Sequence, residues 1–257
     1  MEFIDTHAHL YDEAFDGDFD ETVARIKGNG VVRCIFPAID STTFERQRNA
    51  AEKCGDFAVQ AIGLHPTSVA ENWRKELDFV LEEVERNNYV AIGEIGLDYY
   101  WEPYDKTAQR ICFESQLELA RELSLPVIIH DREAHGDCFE TVLRYPEVKG
   151  VFHSYSGSAE MARELIKRGW YISFSGVISF KNAAKVKEVA LVVPEDRILI
   201  ETDAPYLAPH PFRGKINHSG RLIHTAAALA EARGCDVDRI AKITYDNTKA
   251  LFGIKES

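Results

Sequence analysis

The chain has 257 residues, and its 30 lysines and arginines against 42 aspartates and glutamates give a formal net charge of −12. With 45% hydrophobic and 28% charged residues, it has the composition of an ordinary globular protein, which excludes disorder, collagen-like repeats and a disulfide-stapled small fold. The acidic balance argues against a nucleic-acid coat protein but not against an enzyme that holds phosphates through bound cations.

Eight short apolar runs recur along the chain, and amphipathic stretches separate them. In order, the runs are Phe3–Asp5, Val31–Pro37, Ala58–Leu64, Val90–Ile95, Pro126–His130, Gly150–His153, Tyr171–Ser175 and Arg197–Thr202. Helix periodicity is clearest over Lys106–Leu123, Glu160–Arg168 and Arg221–Arg233, with Gly234 as the residue that ends the last helix. Buried strands that alternate with helices predict a parallel sheet.

Eight such units predict an α/β protein with a closed (β/α)8 barrel, a TIM barrel, as a single domain over residues 1–257. A doubly wound open sheet is the alternative. We disfavour it because no G-x-G-x-x-G phosphate turn follows the first strand.

The sequence also carries expectations about location. The N-terminal residues lack the basic and apolar regions of a signal peptide, and no apolar run approaches the roughly 18 residues of a membrane-spanning helix. The five cysteines are scattered and form no C-x-x-C pair, which is typical of free thiols in a reducing compartment. We therefore expect a cytoplasmic protein that does not associate with a membrane.

Six of the eight predicted strands end in a side chain that can bind a metal ion or move a proton: His7 with His9, His65, Glu94, His130, His153 and Asp203. In a barrel of this kind, active sites form at the carboxyl ends of the strands, so these residues should converge. Side chains two residues apart on a strand share a face. Asp5 should therefore share a face with His7 and orient one of the rings, and Glu201 should point inward and support the ligands.

Each of these residues alone has a simple structural explanation, such as a core histidine or a turn-capping aspartate. Together they are better explained by one hydrolytic site with two metal ions, because nitrogen and oxygen ligands in this mixture suit Zn²⁺, Mn²⁺ and, less readily, Mg²⁺. Glu94 has two oxygens with which to bridge two cations, and this would remove the cost of burying its charge. Asp203 is the candidate base for the attacking water.

These residues stand in segments that resemble the TatD family of metal-dependent deoxyribonucleases, in the wider amidohydrolase class of barrels. The matching segments are Asp5-Thr6-His7-Ala8-His9-Leu10, Gly63-Leu64-His65-Pro66, Gly93-Glu94-Ile95-Gly96-Leu97-Asp98-Tyr99, Leu125-Pro126-Val127-Ile128-Ile129-His130, Phe152-His153-Ser154-Tyr155-Ser156-Gly157, Glu201-Thr202-Asp203-Ala204-Pro205-Tyr206-Leu207 and Arg213-Gly214-Lys215. One segment departs from the family: where the family continues Asn-Glu-Pro, this chain has Asn217-His218-Ser219, which bears on loop geometry and substrate preference.

The resemblance implies a division of the ligands between two divalent metal ions. One ion would be held by His7, His9 and Asp203, the other by His130 and His153, with Glu94 as the bridge. The resemblance further implies that His65 lies beside the site and contacts substrate or supports the ligands, and that Arg213 belongs to a loop that closes near the substrate.

Other residues are candidates for substrate contacts. Tyr99-Tyr100-Trp101 can stack on a nucleobase, which is worth ~1–3 kcal/mol per base, or can pack under the adjoining loop. Arg132 and Lys181, each placed just after a predicted strand, are candidate phosphate contacts.

The favoured function is a deoxyribonuclease, with 3′–5′ exonuclease action as one form, that cleaves phosphodiester bonds with metal-activated water. Its expected catalytic residues are Asp203 and Glu94, and its expected partner is nucleic acid, DNA first. Two alternatives stay open: a carbonyl hydrolase such as a D-aminoacyl-tRNA deacylase, which the resemblance admits, and a metal-binding scaffold without activity. Amidohydrolases bridged by a carboxylated lysine are disfavoured because Glu94 occupies that strand end.

Overall fold

Eight parallel strands form one barrel in the computed structural model, which describes residues 1–255. The strands are β1 (Phe3–Asp5), β2 (Val31–Phe36), β3 (Ala58–Ile62), β4 (Ala91–Asp98), β5 (Val127–Arg132), β6 (Gly150–Phe152), β7 (Tyr171–Phe174) and β8 (Ile198–Ile200). Each strand pairs with its neighbour in sequence. All eight predicted strands are confirmed, and the largest difference is that β4 continues three residues beyond Ile95.

The helices are α1 (Phe19–Gly28), α2 (Ser41–Cys54), α3 (Trp73–Arg86), α4 (Lys106–Leu123), α5 (His135–Leu143), α6 (Ala159–Lys167), α7 (Ala184–Val192), α8 (Leu222–Arg233) and α9 (Val237–Phe252). The α4 prediction is exact in its bounds, because the Asp105 carboxylate accepts hydrogen bonds from Thr107 N and Ala108 N and Pro126 follows closely. Gly234 ends α8 in the left-handed region, at φ 65°. In residues 1–255, none of the helices has both the length and the apolarity needed to cross a bilayer.

Hydrogen bonds between the ends of β1 and β8 close the barrel. Asp203 N donates to His7 O over 2.9 Å, and His9 N donates to Ala204 O over 2.7 Å. Below them, the Asp5 carboxylate accepts from Thr202 N over 3.0 Å. The first and last candidate ligands in the sequence are thereby held side by side by backbone hydrogen bonds.

The barrel interior changes from apolar to polar towards the carboxyl ends of the strands. Ile128, Val151 and Leu199 belong to one buried apolar cluster, together with residues of β2, β3 and β4. The residues two positions further along these three strands are His130, His153 and Glu201. Side chains two apart on a strand share a face. The strands whose apolar side chains pack in the barrel floor therefore place two imidazoles and a carboxylate at its mouth.

Candidate metal centre

Glu94 lies at the centre of the polar layer and is only 3% exposed. Its Oε2 is 3.0 Å from His7 Nε2 and 3.8 Å from His9 Nε2. Its Oε1 is 2.8 Å from both His130 Nδ1 and His153 Nε2. The two oxygens of one carboxylate thus face two different pairs of histidines.

Asp203 and His65 complete the cluster. Asp203 Oδ1 lies 3.6 Å from His7 Nε2 and 3.7 Å from His9 Nε2, on the Oε2 side of Glu94. His65 Nε2 lies 3.4 Å from Glu94 Oε1. The structure therefore brings together all six side chains that the sequence proposes as ligands, with His65 beside them as expected.

Groups outside the cluster set the orientation of two rings. The Tyr11 hydroxyl donates to Pro37 O over 2.6 Å, so it accepts from His9 Nδ1–H over 2.9 Å. The Glu201 carboxylate accepts from His153 Nδ1–H over 3.2 Å, so Glu201 points inward as expected and supports the site through His153. In both rings Nε2 is left facing the cluster, as a metal ligand requires.

Asp98 sets the orientation of the His130 ring, a role that the sequence analysis did not predict. Its Oδ2 accepts from His130 Nε2–H over 2.9 Å, which leaves Nδ1 facing Glu94. A signal existed, because Asp98 lies four residues after Glu94 in the same strand. The expectation for Asp5 was wrong: its Oδ1 accepts from His7 N over 3.2 Å, so it fixes backbone rather than an imidazole.

The electrostatics follow from burial and from the neighbouring charges. Burial by itself would raise the pKa of Glu94, but His153, His7 and His65 hold that pKa well below its ordinary value. Burial raises the pKa of Asp203 to about 6 against the opposing effect of His7 and His153. Glu94 is thus an anion throughout the neutral range, and Asp203 can exchange a proton near neutrality.

The donor set fits divalent cations. His7 Nε2 and His9 Nε2 are 3.1 Å apart, and His130 Nδ1 and His153 Nε2 are 3.3 Å apart. Ligands of one tetrahedral cation with bonds of about 2.0–2.1 Å lie roughly 3.4 Å from each other. Three overlapping groups have ligand atoms within 4.8 Å of one another: His7, His153 and Asp203; His7, His9 and Glu94; and His65, Glu94 and His130.

The cluster forms the floor of a cavity of about 820 Å³ at the barrel mouth. Arg132 and His65 line this cavity, together with Trp101 and Tyr206. Arg213 is absent from the lining described within residues 1–255, and its guanidinium lies 4.5 Å from the centre of the Phe180 ring. Its role at the substrate stays a prediction.

A family model described as TatD related DNase matches residues 4–253 of the chain. The chain belongs to the TatD family. The segments of the resemblance are the ones that carry the cluster described above, so membership and geometry indicate the same part of the molecule.

Curated TatD relatives match over nearly their full length. The chain is 42% identical over 253 residues to the uncharacterized metal-dependent hydrolase YabD of Bacillus subtilis, covering 97% of this chain and 98% of the relative. It is 35% identical to the uncharacterized metal-dependent hydrolase YcfH of Escherichia coli, covering 100% and 98%. The crystal structure of the TatD homologue YjjV from Escherichia coli superimposes with a TM-score of 0.92 at 32% identity, covering 98% of both chains. The protein is thus a metal-dependent hydrolase of the TatD family.

Proposed function

We propose that this TatD-family hydrolase is a deoxyribonuclease that cleaves phosphodiester bonds at a site with two divalent metal ions. The observation that carries the proposal is Glu94, whose oxygens face two separate pairs of histidines at 2.8–3.8 Å. A carboxylate in that position can bridge two cations. Pairs of cations about 3.5–4 Å apart are typical of nucleases and phosphatases.

The proposed ligands divide by the Glu94 oxygen that they face. His7, His9 and Asp203 would hold one ion on the Oε2 side, and His130 and His153 the other on the Oε1 side. When bound, Zn²⁺, Mn²⁺ or Mg²⁺ would lower the pKa of a water molecule and neutralise charge on the phosphate.

Asp203 is the proposed general base. Its side chain is 16% exposed, in contrast to Glu94, and it lines the cavity where substrate would enter. A carboxylate beside a water molecule that a bound cation activates is placed to take its proton. Glu94 is the complementary group, since it stays anionic and holds the histidines in place.

His65 and Arg132 are the proposed substrate contacts because both line the cavity above the cluster. Arg132 would supply a positive charge to a phosphate.

We propose a cytoplasmic location, to which the five free cysteines lend support.

The test is a time course with single-stranded DNA labelled at the 5′ end or the 3′ end, with Mg²⁺, Mn²⁺ or Zn²⁺. We expect shortening of the strand that chelator abolishes and that Asp203→Asn reduces by at least about 10³-fold. Asp196→Asn is the matched control, because the same chemical change is made at a side chain 71% exposed and outside the cavity lining. Intact DNA with all three metals would refute the proposal, and a D-aminoacyl-tRNA would then be the next substrate.

A further inference from the structure

Two aromatic rings and an arginine form an exposed lip on one side of the cavity. Tyr100 and Trp101 lie two and three residues after the end of β4, are 51% and 58% exposed, and have ring centres 4.9 Å apart. The Arg132 guanidinium lies 4.1 Å from the centre of the Tyr100 ring and 5.4 Å from that of Trp101. We call Tyr100, Trp101 and Arg132 the aromatic lip. Exposed large apolar side chains around a cavity are typical of a ligand-binding site.

The aromatic lip is attached to the metal centre by one side chain. Asp98, which is 1% exposed, accepts hydrogen bonds at Oδ1 from Tyr100 N over 2.8 Å and from Trp101 N over 3.1 Å. Its other oxygen accepts from His130. The lip is therefore held at a fixed position relative to the cluster, so a ligand on Trp101 has a defined distance to the reacting phosphate.

A second exposed ring lies across the same cavity. Tyr206, which lies after β8, is 54% exposed. Its backbone N donates to Asp203 O over 2.8 Å, which ties this segment to the metal centre. Because β4 and β8 are four strands apart in an eight-stranded barrel, the segments that carry Trp101 and Tyr206 leave the barrel on opposite sides of the mouth. Both line the cavity of about 820 Å³, a volume that suits a ligand of drug-like size.

The charge of the cavity favours recognition of a base over recognition of a long backbone. Among lining residues within 1–255, Arg132 is the one lysine or arginine. Five carboxylates share the lining with it: Glu94, Asp98, Asp131, Glu133 and Asp203. A track for successive phosphates needs several cations, so a strand needs contacts of another kind beyond the phosphate held at the metal centre.

We infer that Trp101, supported by Tyr100 and Arg132, is a stacking site for the terminal base of the substrate strand. The inference rests on the proposed nuclease function and adds the part of the substrate that is recognised. The base stacks on the indole, Tyr206 closes the other side, and the adjoining phosphodiester lies over the metal centre. Stacking is tolerant of sequence because every base has a flat face.

A kinetic experiment compares Trp101→Ala with Trp101→Phe and with Leu191→Ala, a control at a side chain 65% exposed on α7. On single-stranded DNA, Trp101→Ala should raise KM about 5- to 150-fold, the equivalent of ~1–3 kcal/mol, with kcat little changed. Trp101→Phe should keep most of the affinity. A strand whose terminal residues lack bases should be cleaved with equal KM by the wild type and by Trp101→Ala. An unchanged KM on normal DNA, or an equal rise on the baseless strand, would overturn the inference.

Fluorescence separates this inference from the nuclease proposal. Of the three tryptophans, Trp73 and Trp170 are 7% and 2% exposed, so Trp101 is the one in contact with solvent. Titration of the metal-loaded wild type with a dinucleotide whose linkage resists hydrolysis should quench emission, and the same compound without bases should not. Quenching without cleavage by the wild type would refute the nuclease and retain the stacking site. Cleavage without quenching would refute the stacking site and retain the nuclease.

Discussion

Replacement of Asp98 by asparagine should weaken metal binding without unfolding the barrel. The carboxylate accepts from two backbone N–H groups at 2.8 and 3.1 Å with one oxygen and from His130 Nε2–H at 2.9 Å with the other. An asparagine has one oxygen, which the two backbone groups will keep, so its NH₂ must face His130 Nε2. Two donors cannot face each other, so the ring proton must move to Nδ1.

That movement removes the lone pair from the nitrogen that lies 2.8 Å from Glu94 Oε1, which is the proposed ligand atom. Loss of such an orienting partner typically costs 10–100-fold in metal affinity, or ~1.4–2.8 kcal/mol. We expect Asp98→Asn to lose Zn²⁺ and Mn²⁺ affinity by about this factor, measured by calorimetric titration of chelator-treated protein.

The matched control is Asp131→Asn, the same change in the adjacent Asp131–His135 pair, whose Oδ2 and Nδ1 atoms are 2.8 Å apart but whose histidine lies outside the cluster. Thermal unfolding of the metal-free proteins checks that the variants fold. If Asp98→Asn binds metal as tightly as the wild type, or loses no more than Asp131→Asn, then His130 does not bind metal through an oriented Nδ1.

Three further predictions concern the centre, a loop and a strand. Glu94→Gln removes the anion shared by both histidine pairs and should reduce metal affinity by more than about 100-fold; full metal content by elemental analysis would contradict the bridging role. Burial and the charges of Arg221 and Arg25 lower the pKa of His218 to about 4 from 6.5, so its contribution to stability is present above pH 6.5 and is lost as the pH falls through 4. As the pH falls between these values, the free energy of unfolding of His218→Asn should rise by ~1–2 kcal/mol relative to that of the wild type, a figure reduced for partial exposure. Denaturant titrations that gave parallel pH profiles for the two proteins would exclude His218 as the titrating group. At Gly96, where φ is +144°, a Cβ would lie 1.9 Å from His130 O. Gly96→Ala should therefore lower the free energy of unfolding by about 3 kcal/mol or more. Thermal unfolding measures this loss against the control Gly136→Ala, where a Cβ meets nothing within 4 Å.

Much of this architecture was predictable because it depends on periodic features of the chain. Short apolar runs separated by amphipathic stretches specify strands and helices locally, and parallel strands place all their carboxyl ends at one edge. His130 and His153 could be assigned to the mouth because each ends an apolar run. Strand ends also supplied the other side chains proposed for the mouth, and the family resemblance then separated the six candidate ligands from His65.

Glu94 shows where the periodic argument stops. Ala91, three residues earlier, belongs to the buried cluster on the barrel floor, and strict alternation from it would turn Glu94 away from the interior. The pairing of β4 with β5 shifts register between Ile92 and Ile95. That irregularity returns Glu94 to the mouth. It involves the neighbouring strand as well as the local sequence, because a Cβ at Gly93 would lie 2.7 Å from Ile128 Cβ on β5.

The chain by itself determined which residue types stand at the strand ends, because strand periodicity and parallel connection are properties of local sequence. Tertiary structure decided which atoms meet. It paired Asp98 with His130 and with the aromatic lip, directed Asp5 to backbone rather than to a ring, placed Arg213 against Phe180, and brought Trp101 and Tyr206 to the lining of one cavity. These pairings depend on how neighbouring strands and their loops are placed in three dimensions, which no spacing along one strand encodes.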